Sequence, residues 1–307
     1  MTKPRILVIG SVNMDLVARV ERAPAPGENV RGWDLRTIPG GKGANQAVAC
    51  ARLGADTYFR GRVGDDEFGP RLVRSLSEAG VRTDTVTVTD GCASGVAMIL
   101  VDARGQNSII VTPGANGRLT PEDVTAVRKL FEWADAVILQ LEIPPETVAR
   151  IIHLAAETGT RTVVDAGPPR KSADASLFQC TILTPNETEA AALLGCAPGS
   201  RTAEAMAEEL LGRGPKAVVI KAGAGGAVVA DAGRIVRVPA FPITPVDTTA
   251  AGDAFTAALA IEFIQDVDLL EAARVANAAG ALACLRLGAQ PSMPTAAEVD
   301  EFLAKHS

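Results

Sequence analysis

Short, continuously apolar runs alternate with helix-patterned segments along most of this chain. RILVIGSV, DTYFRG, DAVILQL, RTVVDA, TILT, KAVVIK and GAVVAD read as strands, and several are apolar without interruption, as strands covered on both faces must be. Between them, residues 44–53, 67–79, 145–158, 187–195 and 202–212 follow helical periodicity. This alternation predicts an α/β fold, a doubly wound and mainly parallel sheet with helices on both faces. Beyond residue 251 the pattern is helical almost to the end, at 252–264, 268–286 and 295–304. The first of these is apolar all round, which predicts deep burial.

Two regions break the rhythm. Residues 14–39 and 92–113 read as hairpin strands with polar turns at Gly32 and at Ala103–Gln106, and no helix lies between the strands of either. They predict a small β-sheet lid attached to the main sheet. No repeat or long linker divides the chain, so residues 1–307 are expected to form a single domain.

Composition narrows the possible functions. Apolar residues make up 47% and charged ones 21%, and no apolar run reaches the length of a membrane span, which favours a soluble globular protein. MTKPRILVIG runs straight into the first strand without a signal-peptide pattern, so a cytoplasmic location is expected. A net charge of -6 without any basic run argues against nucleic acid or anionic membrane as a partner. The five cysteines (Cys50, Cys92, Cys180, Cys196 and Cys284) are odd in number and scattered, which fits core packing better than disulfides or zinc. Only His153 and His306 are available as histidines; a proton-transfer enzyme would therefore use a carboxylate.

The common nucleotide motifs are missing. GGKGAN has Arg36 where a P-loop's first glycine belongs and Gly43 where its hydroxyl belongs, and VIGSVNMD lacks the three glycines of a dinucleotide fingerprint. Four polar constellations remain, each where a predicted strand ends, the edge at which open α/β sheets bind ligands. Asn13 and Asp15 lie two apart in GSVNMD, on one side of an extended segment, able to take sugar hydroxyls or simply to form a turn. In PGGKGANQAVACARLGA, Gly40, Gly41 and Gly43 permit close backbone approach ahead of Asn45, although glycine turns before helices are common and Lys42 could be a solvated charge. Asn186 and Glu189 in TPNETEA form a capping box, or else face hydrated Mg²⁺ and the phosphates it carries. In VDTTAAGDAF, the small residues Ala250, Ala251 and Gly252 would leave helix-terminal amides bare as an anion cradle. Asp253 sits beside that cradle, as a base or as an ordinary acidic first-turn residue.

These residues carry a resemblance. From about residue 5 to 303, the segments GSVNMD, GGKGANQAV, GRVGDDEFG, TPNETEA, VDTTAAGDAF and GAQPSMP occur in the order and spacing of the ribokinase-like (PfkB) carbohydrate kinases, which the chain resembles. The resemblance implies an ATP-dependent kinase phosphorylating the 5-hydroxymethyl group of D-ribose to give ribose 5-phosphate and ADP. Another pentose, 2-deoxyribose, a ketohexose or a nucleoside are alternative acceptors, and a non-catalytic sugar sensor is a further one. Few aromatic residues are present to stack on a nucleoside base.

The resemblance further implies that Asn13, Asp15, Gly41, Lys42, Asn45 and Glu142 hold the sugar. Asp253 would be the general base, with the amides of Ala250, Ala251, Gly252 and Asp253 as the anion hole. Asn186, Lys221, Gly223, Gly226, Gly252 and Asn277 would lie along ATP, and Glu189 would reach Mg²⁺ through water. Asp247, Thr249, Ala283, Arg286, Gly288 and Ser292 match positions around an activating K⁺, and the lid implies a homodimer. The chain departs from the pattern in DAGPPR, residues 165–170, where Asn-Pro-Ala-Pro is frequent. It departs again at Thr256 and Ala257, in place of Asn-Gly, and at Asn277, where some relatives have histidine.

Overall fold

A computed structural model describes residues 3–169 and 175–306; Arg170 of the DAGPPR segment lies outside them. The strands are β1 (Arg5–Ile9), β2 (Asn13–Val20), β3 (Gly32–Gly40), β4 (Asp56–Arg60), β5 (Arg62–Gly64), β6 (Thr87–Thr89), β7 (Gly95–Val101), β8 (Asn107–Thr112), β9 (Ala136–Leu139), β10 (Arg161–Val164), β11 (Ile182–Leu183), β12 (Ala217–Lys221), β13 (Ala227–Asp231) and β14 (Arg234–Val238). The helices are α1 (Lys42–Arg52), α2 (Phe68–Glu78), α3 (Pro121–Thr125), α4 (Arg128–Trp133), α5 (Pro145–Thr158), α6 (Glu187–Leu194), α7 (Ala203–Leu211), α8 (Ala251–Ile264), α9 (Leu269–Ala283) and α10 (Ala296–Lys305).

Eight strands form the main sheet in the order β14-β13-β12-β11-β10-β9-β1-β4. Pairing is parallel from β4 through β12, and antiparallel only between β12 and β13 and between β13 and β14, at one edge. The pleat of β1 divides the interior. Ile6 and Val8 enter one core, packed with α1, α8 and α9, whereas Leu7 and Ile9 enter a second core on the opposite face. Helix α8 is buried along most of its length, from Asp253 through Ile261, as its unbroken apolar character demands.

Chain order reverses beside β1, which has β4 on one side and β9 on the other. At such a switch point the loops leaving the strand ends diverge and open a crevice. The carboxyl ends of β1, β9, β10 and β12 lead to Gly10 and Ser11, Gln140, Asp165 and Lys221 respectively, so sheet topology gathers these residues at one edge.

The second sheet has the order β3-β2-β7-β8. It matches the expected lid at 13–40 and 95–112, and β2 pairs in parallel with β7, which joins the two hairpins into one sheet. The turn at Ala103–Gln106 is present, held by the Asp102 carboxylate accepting from the Arg104 and Gln106 amides at 2.8 and 2.9 Å. Gly32 is not a turn residue: it opens β3, and the chain reverses between residues 21 and 31. The polar, proline-containing stretch at 21–31 cannot supply a ladder, so the reversal begins earlier than one glycine suggested. The short β5–β6 pair, β14, α3 and α4 carry too little periodicity to stand out in the sequence.

Candidate active site

Helix α1 begins immediately after Gly41, whose φ of 89° is a left-handed conformation. A Cβ at Gly41 would lie 2.7 Å from the Asn13 amide nitrogen, so glycine lets the start of α1 press against the start of β2. A Cβ at Gly43 would likewise meet the Ser11 nitrogen at 2.7 Å. This close approach carries Asn45 and Gln46, in the first turns of α1, towards the first turn of α8. There the Asn45 Nδ2 donates to Asp253 Oδ2 and the Gln46 Nε2 to Asp253 Oδ1, each at 2.9 Å. Asp253 is only 4% exposed.

On the lid side, Asn13 Oδ1 accepts from Asn116 Nδ2 at 2.7 Å, and Asn116 is anchored in turn by Val12 N–H donating to its Oδ1 at 3.0 Å. The side chain of Asp15 lies across Gly40, where a Cβ would stand 2.3 Å from Oδ2. Burial, reinforced by the negative charges of Glu142 and Asp253, pushes the Asp15 carboxyl up to about 7. Glu142 Oε2 accepts from the Lys42 amide at 3.2 Å and from the Ser11 hydroxyl. Lys42 itself is no solvated charge. Burial works against its ammonium, but Asp165, Asp253, Glu189 and Glu142 surround it and hold it protonated above the ordinary lysine range. Asn45 Oδ1 is buried without a hydrogen-bond partner, an acceptor that a ligand hydroxyl would satisfy.

Behind Asp253 lies a polar cluster that sequence reasoning did not assemble. Asp165, with no exposed surface, accepts from Gln46 Nε2 at 2.9 Å and pairs with Lys221 Nζ at 3.1 Å. Gln140 Nε2 donates to Gln46 Oε1 at 2.6 Å, which fixes the direction of the Gln46 amide. Against burial, Lys221 and Lys42 hold Asp165 below the ordinary carboxylate range. Burial drives Asp253 the other way, upward; Lys42 opposes this and Asp165 adds to it. Two carboxylates close together are thus pushed apart in proton affinity, the usual mark of a site with an acid-base task. A glutamine in an apolar helix and an aspartate ending a strand were the available signals, and nothing in their spacing joins them.

The helix terminus differs from a row of four bare donors. Ala250 sits at φ 60° and turns the chain so that Ala251 N–H donates to Thr248 O at 3.3 Å and Asp253 N–H to Ala250 O at 3.0 Å. The amides of Ala250 and Gly252 take no hydrogen bond among the described residues, so these two are the donors left for an anion. Lys221 Nζ lies 3.7 Å from where a Gly252 Cβ would be, which adds positive charge beside them.

Farther along, Asn186 and Glu189 do form a capping box, with Glu189 N–H to Asn186 Oδ1 at 2.8 Å and Asn186 N–H to Glu189 Oε2 at 2.7 Å. The other carboxylate oxygen, Oε1, faces Gly167, where a Cβ would meet it at 2.5 Å and Lys42 Nζ at 2.7 Å. Gly223 is exposed with open space around it, whereas glycine is required at Gly226 because a Cβ would strike Val238 O at 2.1 Å. Asn277 Nδ2 donates to Val238 O at 3.3 Å and Pro239 O at 3.1 Å. Asp247 binds together two segments: its Oδ1 accepts from Thr249 N and Oγ1 at 2.9 and 2.6 Å, and its Oδ2 from Gly288 N at 2.9 Å. Ala283 O accepts weakly from Arg286 N at 3.4 Å, while Ser292 is buried with its hydroxyl donating to Ala289 O at 2.8 Å.

A buried carboxylate beside a cation-flanked helix terminus, at the switch point of a doubly wound sheet and under a β-lid, defines a phosphotransferase with an alcohol acceptor. Residues 3–296 match the pfkB family of carbohydrate kinases, and the chain belongs to that family. It is 40% identical to the ribokinase of Bacillus subtilis over 97% of this chain and 99% of the relative. It is 34% identical to a deoxyribokinase of Salmonella typhimurium, over 97% of this chain and 98% of the relative. Its fold superposes on an Arabidopsis thaliana ribokinase complexed with ribose and ATP with a TM-score of 0.90, at 33% identity, covering 98% of this chain and 99% of that one.

Proposed function

We propose that this chain is an ATP-dependent ribokinase, transferring the terminal phosphoryl group of ATP to the 5-hydroxymethyl oxygen of D-ribose. One observation carries the reading: the Asp253 carboxylate is fixed through both oxygens by Asn45 and Gln46 while the neighbouring Asn45 Oδ1 is left unpaired. Asn13, Asp15, Asn45 and Glu142 take the sugar hydroxyls, and Gly41 and Lys42 shape the floor beneath them. Asp253 removes the proton from the attacking hydroxyl, and the free amides of Ala250 and Gly252 with Lys221 receive the charge that develops on the phosphoryl oxygens. Proton removal by a positioned carboxylate and a pre-aligned anion site suffice, because phosphoryl transfer asks little covalent chemistry of the protein.

ATP lies along Asn186, Lys221, Gly223, Gly226, Gly252 and Asn277 in this reading. Glu189 Oε1 suits Mg²⁺ held through water, since its partner oxygen is already spent on the cap. Bound there, the ion would neutralise phosphate charge. Release of ADP, measured with ribose, 2-deoxyribose, fructose and a nucleoside, each with and without Mg²⁺, tests the proposal. Fastest Mg²⁺-dependent turnover on ribose is expected; 2-deoxyribose above ribose would assign the chain to the deoxyribokinase reading instead.

We assign an activating K⁺ to the region of Asp247, Thr249, Ala283, Arg286, Gly288 and Ser292, a reading supported by Asp247 tying the 247–249 segment to Gly288 and by the suitability of main-chain oxygens for a monovalent cation. Turnover in potassium buffer is expected to exceed that in sodium-only buffer about 5-fold or more; equal rates in the two buffers count against this assignment. The lid supports a homodimer. Leu35, Met98 and Ile110 lie on the lid face opposite Asp15, and are 70%, 44% and 62% exposed, an apolar patch that a second copy would cover. Ile110→Asp is expected to sediment as a monomer, against a dimer for the parent; a parent that sediments as a monomer refutes the arrangement.

A further inference from the structure

Asp165 touches neither a lid strand nor the first turn of α8, yet it is the most enclosed charge near the base. Three donors converge on it, Gln46 Nε2 at 2.9 Å, Lys221 Nζ at 3.1 Å and Gly167 N at 3.1 Å, and Thr256 Oγ1 lies 3.4 Å away. The Thr256 hydroxyl is also engaged with Gly252 O at 2.9 Å, which links Asp165 to the backbone of the anion site. Gln46 is the decisive member. Its one Nε2 serves Asp165 and Asp253 together, each at 2.9 Å, and the Gln140 amide locks its oxygen. With the oxygen committed, the amide cannot flip, and both of its protons must point at carboxylates.

We propose that Asp165 is a positioning residue for phosphoryl transfer, which through the shared Gln46 amide fixes the Asp253 carboxylate and places a second negative charge behind it. Lys221 is the counter-ion that keeps Asp165 ionised in its buried place. The charge has a kinetic sense: a general base is stronger when a like charge resists the loss of its proton affinity. Other charged groups facing Asp253 are Lys42 from α1, Asp15 from β2, Lys221 from β12, Glu142 from the loop beyond β9 and Glu189 from the first turn of α6. From α9, which packs along α8, Glu271 and Arg274 pair with one another near its start. None of these shares a hydrogen-bond donor with Asp253 as Asp165 does.

The inference rests on Asp253 being the base, so Asp253→Asn serves as the reference for the test. Steady-state kinetics over pH on Asp165→Asn should give a kcat about 10- to 100-fold below the parent, with the KM for ribose within about 2-fold. The acidic limb of the kcat profile should move to lower pH, because a like charge behind the base is gone. Gln46→Leu, which keeps Asp165 but removes a donor from Asp253, should move the same limb to higher pH. A role in folding alone predicts that neither limb moves. An Asp165→Asn enzyme with parental kcat and limb, or with a uniform loss and an unmoved limb, overturns the proposal. Should that variant fail to fold, an unmoved limb in Gln46→Leu overturns it equally, and a shift to higher pH supports it. Retained turnover in Asp253→Asn would instead sink the general-base reading itself, which keeps the two failures apart.

Discussion

Replacing Asp253 by Asn is expected to lower turnover by about 10²- to 10⁴-fold, the range for loss of a positioned general base, while sugar affinity stays within a few-fold of the parent. The protein should tolerate the change. Asp253 accepts one hydrogen bond on each oxygen, so the introduced amide would set a donor against a donor on one side. Asn45 can relieve this by turning its own amide over, because its Oδ1 has no other partner to lose. ADP release measures the turnover and calorimetry with ribose alone measures the binding; near-parental kcat in a folded variant removes Asp253 from the mechanism.

Asp15→Asn should divide function from stability. Vicinal hydroxyls donating to a carboxylate form charge-assisted bonds of about 1.5–3 kcal/mol each, so losing the charge from two of them should raise the KM for ribose by about 10²-fold or more. Stability moves the other way. The folded pKa of about 7 lies above the ordinary aspartate value of 3.8, so between these values the folded state holds more protons than the unfolded chain. Stability from this group is therefore full below about pH 4 and is lost as pH rises towards about 7. The amide carries no such burden. Asp15→Asn is expected to melt about 2–4 °C above the sugar-free parent at pH 8, the size of a change near 1 kcal/mol in a chain this long, and level with it at pH 4. Equal melting at both pH values would show that Asp15 is not strained by its surroundings.

Much of this architecture was written locally in the chain. Helices at 145–158 and 187–194, and the strands from β9 to β13, follow from uninterrupted apolar runs and short turns, because a residue's own neighbours decide them. The lid strands were equally legible, but the place of reversal was not: Gly32 is conspicuous as a turn former, while the true reversal spreads over a longer polar stretch. In the site, Asn13, Asp15, Asn45 and Asp253 sit in short motifs at strand ends. The roles of Gln46, Asn116, Gln140 and Asp165 were not legible there, although Gln46 lies within GGKGANQAV and Gln140 and Asp165 end strands, because their meaning lies in contacts between residues about 90 to 210 positions apart. Only the assembled sheet brings them together. The four apparently bare amides illustrate the same limit, since the left-handed turn at Ala250 consumes two of them and small side chains alone do not reveal it.

The setting of α8 has a consequence for heat inactivation. Loop-borne active sites fray at low energies, so such enzymes often go silent before they melt. Here Asp253, the proposed base, rides on a helix enclosed on all sides by the larger core. The stage on which chemistry occurs has no cheap way to loosen by itself, and catalytic competence should persist until the cooperative collapse of the whole interior ends both at once.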